Sequence, residues 1–271
     1  MIESDCLFIY TIFINYKGSV ELLTTERHRI IMELLAKHGV VSLKMIVQQT
    51  NSSESTIRRD LALLEENGLL RRVHGGAKLP HSKIDEPTMK DKTDKSLVEK
   101  KAIAKVAVDT IHDGDCIYLD AGTTVEHMLP FLVEKKIIVV TNGLMHIEAL
   151  TNADVPTYLL GGRIKANTKA IVGSAAQESL KKYRFNKSFI GMNGVDLELG
   201  YTTPDPEESI LKSIAMELAE EAFVLADHTK FGETFFSKVA DIHEATIITN
   251  NKDEMLLKQY KEKTKVKVVT P

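Results

Sequence analysis

Three short helical stretches closed by a basic Gly-Gly turn, a later series of apolar strands alternating with amphipathic helices, and a charge that changes sign between them predict a chain in two parts. The fold class they predict is α/β: an N-terminal winged helix-turn-helix followed by a C-terminal Rossmann-like parallel sheet. The 271 residues leave room for both, and 43% apolar with 27% charged residues is the composition of a globular chain rather than a disordered one. The net charge of −3 excludes a protein basic over its whole surface but not one with a local basic patch.

That patch is visible in the distribution. Residues 23–80 carry nine Lys/Arg against six Asp/Glu, a net of +3, whereas residues 81–271 carry 25 against 29, a net of −4, and residues 1–22 one against three. A small basic module joined to a larger acidic one is a common layout for a DNA reader carrying a sensor. The expected boundaries are a head over 23–78, a linker over 79–95 rich in proline and charge, and a sensor over 96–271.

In the head, Thr24 or Thr25 is expected to cap the first helix, with Ile30, Ile31, Leu34 and Leu35 on one face and Gly39 ending it. Ser42 can cap a second helix over 43–49, and Ser53 a third over 54–66, ended by Asn67-Gly68. Ile57, Leu61 and Leu64 form an apolar stripe on the third. At about 100° per residue, Ser55, Arg59 and Ala62 lie opposite, with Thr56 and Arg58 on the flanks. An Arg-Arg pair on a helix is ordinarily a solvated face. Here its hydroxyl and guanidinium neighbours have the chemistry that contacts phosphates and base edges. A strand and turn over 69–77, with Arg71, Arg72 and His74 around Gly75-Gly76, complete a wing.

Arg27, Ile31 and Leu35, then 53–61 (SESTIRRDL), Leu64-Glu65 and 72–77 (RVHGGA), closely resemble the DNA-binding signature of the DeoR family of bacterial transcriptional regulators. The resemblance implies that Ser53, Ser55, Thr56, Arg58 and Arg59 read or clamp DNA, and that Arg72, His74 and Gly75 touch the backbone or minor groove. Asp60, nearer the core flank, is expected to be a structural partner.

Beyond a helix over 97–111, strands are expected at 116–119, 137–140, 155–160, 187–190, 222–225, 245–248 and 266–269. In parallel sheets, ligands bind beyond the carboxyl ends of the strands. Those positions hold Asp120, Gly122, Thr123 and Thr124; Asn142 and Gly143; Gly161, Gly162 and Arg163; Asn193 and Gly194; and the Asp227–Lys230 loop. Glycines admit an anion to backbone N–H groups, Arg163 and Lys230 can neutralise a phosphate, and Asp120, Asn193 and Asp205 can take sugar hydroxyls. Each loop alone is ordinary turn chemistry; five at strand ends point to an anion site.

This part resembles the DeoR-family sensor domain, which is similar in fold to ribose-5-phosphate isomerase and the sugar-phosphate deaminases. The resemblance implies a phosphorylated-sugar effector, its phosphate held by the Gly122–Thr124 loop and Lys230. The runs CIYLDAGTT, VVTNGLMHI, FNKSFIGMNGV, GYTTPDPEE and VLADHTKFGE look most like the fructose-operon repressors of low-GC Gram-positive bacteria, which makes fructose 1-phosphate the expected inducer. An isomerase needs a positioned base. The related enzymes begin the 193–196 segment with an aspartate where this chain has Asn193, and 202–208 replaces their glycine-rich loop. Glu207 and Glu208 remain as carboxylates at the start of a helix, where they ordinarily serve its dipole. No catalytic residue is assigned.

The sequence reading is thus a repressor of a sugar operon, whose partners are operator DNA, a phosphorylated sugar and further copies of itself as a dimer or tetramer. One small winged domain buries too little DNA surface for tight specific binding. No metal or cofactor is expected, since Cys6, Cys116 and the scattered histidines have no ligand spacing. No apolar run approaches the ~18 residues of a membrane helix, and a cytoplasmic location is expected. Residues 1–22, with the apolar run 6–14, fit no element of either part. The expectation is a misassigned start, with initiation at Val20, Leu22 or Leu23; an intact mass retaining Met1 would refute it.

Overall fold

The computed structural model describes residues 23–73, 75–79, 92 and 95–270, in two compact units divided between residues 81 and 82. The expectations for residues 1–22, for His74 and for most of the linker lie outside the described residues.

The first unit is built from α1 (Thr24–His38), β1 (Val40–Ser42), α2 (Leu43–Thr50), α3 (Glu54–Glu66), β2 (Arg71–Val73) and β3 (Gly76–Lys78). The threonine cap is not formed. Leu23 is the N-cap and makes no side-chain bond, because Thr24 is already helical and its Oγ1 accepts from Arg27 Nη2 at 3.2 Å. Ser42 and Ser53 do cap, accepting from Met45 N and Thr56 N, each at 3.2 Å. Gly39 ends α1 at φ 72°, its N–H donating to Leu35 O at 2.7 Å. Ile31, Leu35, Ile46, Ile57, Leu61 and Leu64 meet in one core with Leu34 packed at its margin, while Ile30, expected on the same face, is half-buried outside that core. The wing is a three-stranded antiparallel sheet in the order β1-β3-β2, one strand more than expected. A Cβ on Gly76 would stand 2.1 Å from Val41 O, so the hairpin lies against β1 only because residue 76 has no side chain.

The second unit opens with α4 (Leu97–Val108), three residues shorter at its end than expected. There the chain tightens: Thr110 N and Ile111 N donate to the carbonyls of Ala107 and Val108, and Thr110 Oγ1 also takes the Ala107 carbonyl. The seven expected strands all form: β4 (Cys116–Leu119), β5 (Ile138–Thr141), β6 (Thr157–Leu159), β9 (Phe185–Gly191), β12 (Ala219–Leu225), β14 (Thr246–Thr249) and β15 (Val266–Val268). They make one parallel sheet in the order β15-β14-β12-β9-β4-β5-β6. Alternation along β4 divides the core. Tyr118 packs with Val140, Ile190 and Val224 on one face, and Ile117 and Leu119 with Val139, Phe189 and Ile103 on the other.

Short helices α5 (Thr123–Glu126), α6 (Leu129–Leu132), α7 (Ile147–Asn152) and α8 (Ser174–Leu180) and the longer α9 (Pro206–Glu217) and α10 (Glu254–Lys263) complete the layers. Two antiparallel additions were not foreseen: the pair β7 (Arg163–Ile164) and β8 (Ile171–Val172), and the sheet β10-β11-β13 (Gly194–Asp196, Gly200–Thr203, Ser237–Ala240). Winding starts at β4, runs out to β6, returns to β9 beside β4 and continues the other way. The reversal therefore falls between β4 and β9, which is where such sheets open a ligand crevice at their carboxyl ends.

Candidate functional site

In the first unit, α3 presents Ser53, Ser55, Arg58 and Arg59 to solvent, with Thr56 half-buried. The Ser53 hydroxyl lies 2.9 Å from that of Ser55 and 2.8 Å from that of Thr56, so the three form one polar cluster at the helix start. Arg58 donates through Nε and Nη2 to Glu54 Oε1 at 3.1 and 2.6 Å. Behind this face, Arg27 donates through Nε to Asp60 Oδ2 at 2.7 Å, with His28 Nε2 3.2 Å from Oδ1. Asp60 thus ties α3 to α1 from inside, the structural role expected of it. Arg72 is anchored at the wing root, its backbone N–H and Nε donating to Glu65 at 2.8 and 2.5 Å. The Arg72 backbone bond, then the guanidinium, holds the Glu65 carboxyl below the ordinary range. Gly75 is exposed at φ 78°.

In the second unit, Asp120 leaves β4 at the switch point and is 2% exposed. Its Oδ2 accepts from Gly191 N at 3.0 Å and from Lys212 Nζ at 2.6 Å, and Lys212 also donates to Gly191 O at 3.0 Å. This buried triangle joins the ends of β4 and β9 to α9. Gly122 belongs to the same closure. A Cβ there would stand 3.3 Å from both Asp120 Oδ2 and the Gly191 Cα, closer than most such contacts. Thr123 and Thr124 follow, both buried. Beside them, Asn142 Oδ1 accepts from Ala121 N at 3.0 Å. Thr141 Oγ1 donates to Leu119 O at 2.7 Å and lies 2.9 Å from His146 Nδ1. With its own hydrogen committed, Thr141 requires the Nδ1–H tautomer of His146. Burial pushes the His146 pKa down to about 4. Gly143 must lack a side chain, because a Cβ would come 2.7 Å from that imidazole.

A carboxylate–lysine group flanks the crevice at the start of α9. Asp205 caps the helix, its Oδ1 accepting from Glu207 N and Glu208 N at 2.8 and 3.1 Å, and its Oδ2 pairs with Lys165 at 2.6 Å. Both oxygens expected to take sugar hydroxyls are therefore engaged. Glu208 Oε1 accepts from Lys165 at 3.1 Å and Thr168 at 2.7 Å. Burial would raise its carboxyl, but the ammonium groups of Lys212 and Lys165, the Thr168 hydroxyl and the charge of Lys92 outweigh this and leave it below the ordinary range. Arg163 donates to Glu207, and Asn193 Oδ1 accepts from Thr203 Oγ1 at 3.0 Å. Gly194 is buried in β10, where a Cβ would strike Glu233 O at 2.4 Å. Gly161 and Gly162 are exposed. Lys230 is half-buried on a 3-10 turn after β12, a strand two places from β4.

The site residues sequence reasoning did not single out are the buried Lys212, His146 and Thr168 and the half-buried Lys165. A signal existed for Lys212. It follows Leu211 and precedes Ala215 by three, on the inward face of an amphipathic helix, where a lysine needs a buried partner. Among the described residues, the hydroxyls of Tyr118 and Ser188, opposite one another on β4 and β9, are buried without a hydrogen-bond partner, and no His/Cys/Asp/Glu group could hold a metal.

The model of the DeoR-like helix-turn-helix domain matches residues 27–83, and that of the DeoR C terminal sensor domain residues 95–252. The chain belongs to the DeoR family of transcriptional regulators. The chain is 52% identical over 252 residues to the uncharacterized HTH-type transcriptional regulator FruR of Bacillus subtilis, covering 92% of this chain and all of that one. A lactose phosphotransferase system repressor of Staphylococcus epidermidis is 36% identical over 245 residues, covering 89% of this chain and 96% of the relative. Among solved structures, ribose 5-phosphate isomerase A of Methanocaldococcus jannaschii aligns with 49% of this chain and 53% of its own at 19% identity and a TM-score of 0.37. The DeoR-family chain is thus a helix-turn-helix transcriptional regulator, and among its described residues no helix is long and apolar enough to cross a membrane.

Proposed function

We propose that this regulator represses a sugar-utilisation operon, that for fructose, and that a phosphorylated sugar, fructose 1-phosphate, releases it from its operator. The observation that carries the sensor half is the buried Asp120–Lys212 pair at the β4/β9 reversal, which stands beside loops of glycine and buried threonine where such sheets bind ligands. The choice of fructose rests on the relative named FruR at 52% identity. Ser53, Ser55, Thr56, Arg58, Arg59, Arg72, His74 and Gly75 contact DNA in this reading. Asp120, Gly122–Thr124, Asn142, Gly143, Lys212 and Lys230 receive the effector. The crevice works as a switch rather than a catalyst. Asp120, Asp205 and Glu208 each accept from a lysine, and position 193 is an asparagine, which supports the reading of a switch. By linkage, a hundredfold effector preference for one sensor state moves operator affinity by at most about 2.7 kcal/mol.

The test is fluorescence anisotropy of the protein on labelled DNA from upstream of its own operon, at fixed salt, titrated with fructose 1-phosphate. Tight binding released by micromolar-to-millimolar sugar phosphate is the expected result. Binding unmoved by this ligand would leave a repressor of another effector; no specific binding would overturn the reading. Arg58→Ala with Arg59→Ala should abolish operator binding while the effector still raises the melting temperature. Lys230→Ala should keep operator binding and lose the sugar response.

A further inference from the structure

We propose that Lys165 is a ligand of the effector's phosphate, held in reserve by two carboxylates of this chain, Asp205 and Glu208, that then take the effector's hydroxyls. The inference rests on the sugar-phosphate reading above and names how the two ends of such a molecule are recognised. Lys165 stands where β7 enters the turn to β8, its N–H donating to Ala170 O and its carbonyl accepting from Lys169 N, each at 2.8 Å. The base of this hairpin is fixed. Ala170, Ile171 and Val172 are buried in the sensor core. Ile171 also exchanges bonds with Asn142 at the end of β5, its N–H donating to Asn142 O at 2.7 Å and its carbonyl accepting from Asn142 Nδ2 at 3.3 Å. The turn meets the start of α9 through side chains, Lys165 with Asp205 and Glu208, and Thr168 with Glu208. A rigid arm thus carries an ammonium group to an exchangeable contact.

Lys165 can leave this contact without stranding a charge. Breaking a buried ion pair is costly when one partner is left alone. Here the side chains of Lys165, Asp205 and Glu208 are 14%, 22% and 9% exposed, and each carboxylate has further support. Asp205 Oδ1 keeps the two backbone N–H groups of the α9 cap, and Glu208 keeps the Thr168 hydroxyl and the charge of Lys212. The exchange changes what the group offers. In the closed arrangement Lys165 Nζ lies 2.6 Å from Asp205 Oδ2 and 3.1 Å from Glu208 Oε1. Once the ammonium turns to a phosphate, both oxygens become acceptors for hydroxyl groups. An ammonium for a phosphate and two carboxylate oxygens for hydroxyls complement a phosphorylated polyol better than a bare anion or a neutral sugar. The position agrees. Glu208 and Lys212 are one turn apart on α9, and Lys212 reaches Asp120 Oδ2 at 2.6 Å, so Lys165 continues the charged row that begins at the β4/β9 switch point.

The test is calorimetry on the full chain without DNA, at fixed ionic strength, with inorganic phosphate, fructose 1-phosphate and fructose as probes. The native chain should bind the sugar phosphate more tightly than phosphate, and fructose not at all. Asp205→Asn keeps an oxygen for the helix cap and removes the charge that holds Lys165. It should bind phosphate about fivefold more tightly than the native chain and lose most of the preference for the sugar phosphate. Glu178→Gln, the same change of charge on the exposed Glu178–Lys181 pair, should do neither. Lys165→Met should lose about tenfold in affinity for both phosphates, and Lys165→Arg should restore it, with circular dichroism unchanged in every variant. An Asp205→Asn chain that gains nothing for phosphate, or a Lys165→Met chain that binds it as the native one does, would overturn the proposal. A native chain that binds phosphate and fructose 1-phosphate equally, while Asp205→Asn still gains for phosphate, would support the exchange at Lys165 and break the choice of fructose alone.

Discussion

The α3 face and the sensor crevice use similar ion pairs in opposite settings. The Arg58–Glu54 pair joins side chains 64% and 60% exposed, at one helical turn's spacing. The Lys212–Asp120 pair joins side chains 6% and 3% exposed, across three elements. In water, a pair of the first kind contributes about 0–1 kcal/mol and parts easily when a phosphate or base edge competes. A buried pair contributes little over an apolar replacement, yet breaking it is costly because one charge is left stranded. The proposed DNA face thus keeps its charges wet, and the junction of β4, β9 and α9 keeps its charges dry. The Arg27–Asp60 pair shows the same rule within the head, buried behind the exposed face it supports.

The largest expected break in this contrast is Asp120→Ala. It strands Lys212 and should cost the sensor about 3–5 kcal/mol in urea unfolding. Adding Lys212→Met should recover most of that loss; no recovery would mean that the pair is not what the site depends on. Next comes His146, neutral in the fold. Its pKa of about 4 lies below the unfolded value of 6.5, so its contribution is complete above pH 6.5 and declines as pH falls toward 4. The decline should reach up to about 3 kcal/mol. A urea-midpoint series across pH should show it in the native chain and not in His146→Gln. Asp205 and Glu208, held below the ordinary carboxylate range, lose their contributions only at lower pH, which keeps the two windows apart. The smallest effect should be that of Arg58→Ala, within about 0.5 kcal/mol of native stability. A larger loss would show that the exposed pair carries structural weight.

The sequence announces what is regular or exposed. CIYL, IVV and FVL are apolar runs that read as buried parallel strands wherever they occur, and Ser53 before an amphipathic stretch reads as a cap. Gly194–Asp196 and Gly200–Thr203 do not read as strands, because their short glycine-containing runs have no apolar period and are buried by the rest of the fold. The crevice was legible at its loops and hidden at its centre. Asp120, Gly122 and Asn142 stand at strand ends, where a rule points to them, whereas the inward face of its helix marks Lys212 as paired without naming Asp120, and Lys165 looks like a solvent-facing lysine until Asp205 and Glu208 are brought in from far along the chain. Lys230 stands at a strand end as the same rule expects, but its turn lies on a different strand end from the Asp120–Lys212 triangle.

The adjacency of β4 and β9 also fixes an order of events during synthesis. Ile117 lies opposite Lys187, so the central strand pair of the sensor closes only after the whole excursion through β5 and β6 has been made. The head asks for much less, since its most distant strand pairing joins Val40 to Lys78. Ribosomes add roughly 5–20 residues per second, and amino-terminal units fold first. A nascent chain therefore exposes a folded first unit for on the order of ten seconds before residue 191 is added and the sheet of the second unit can close.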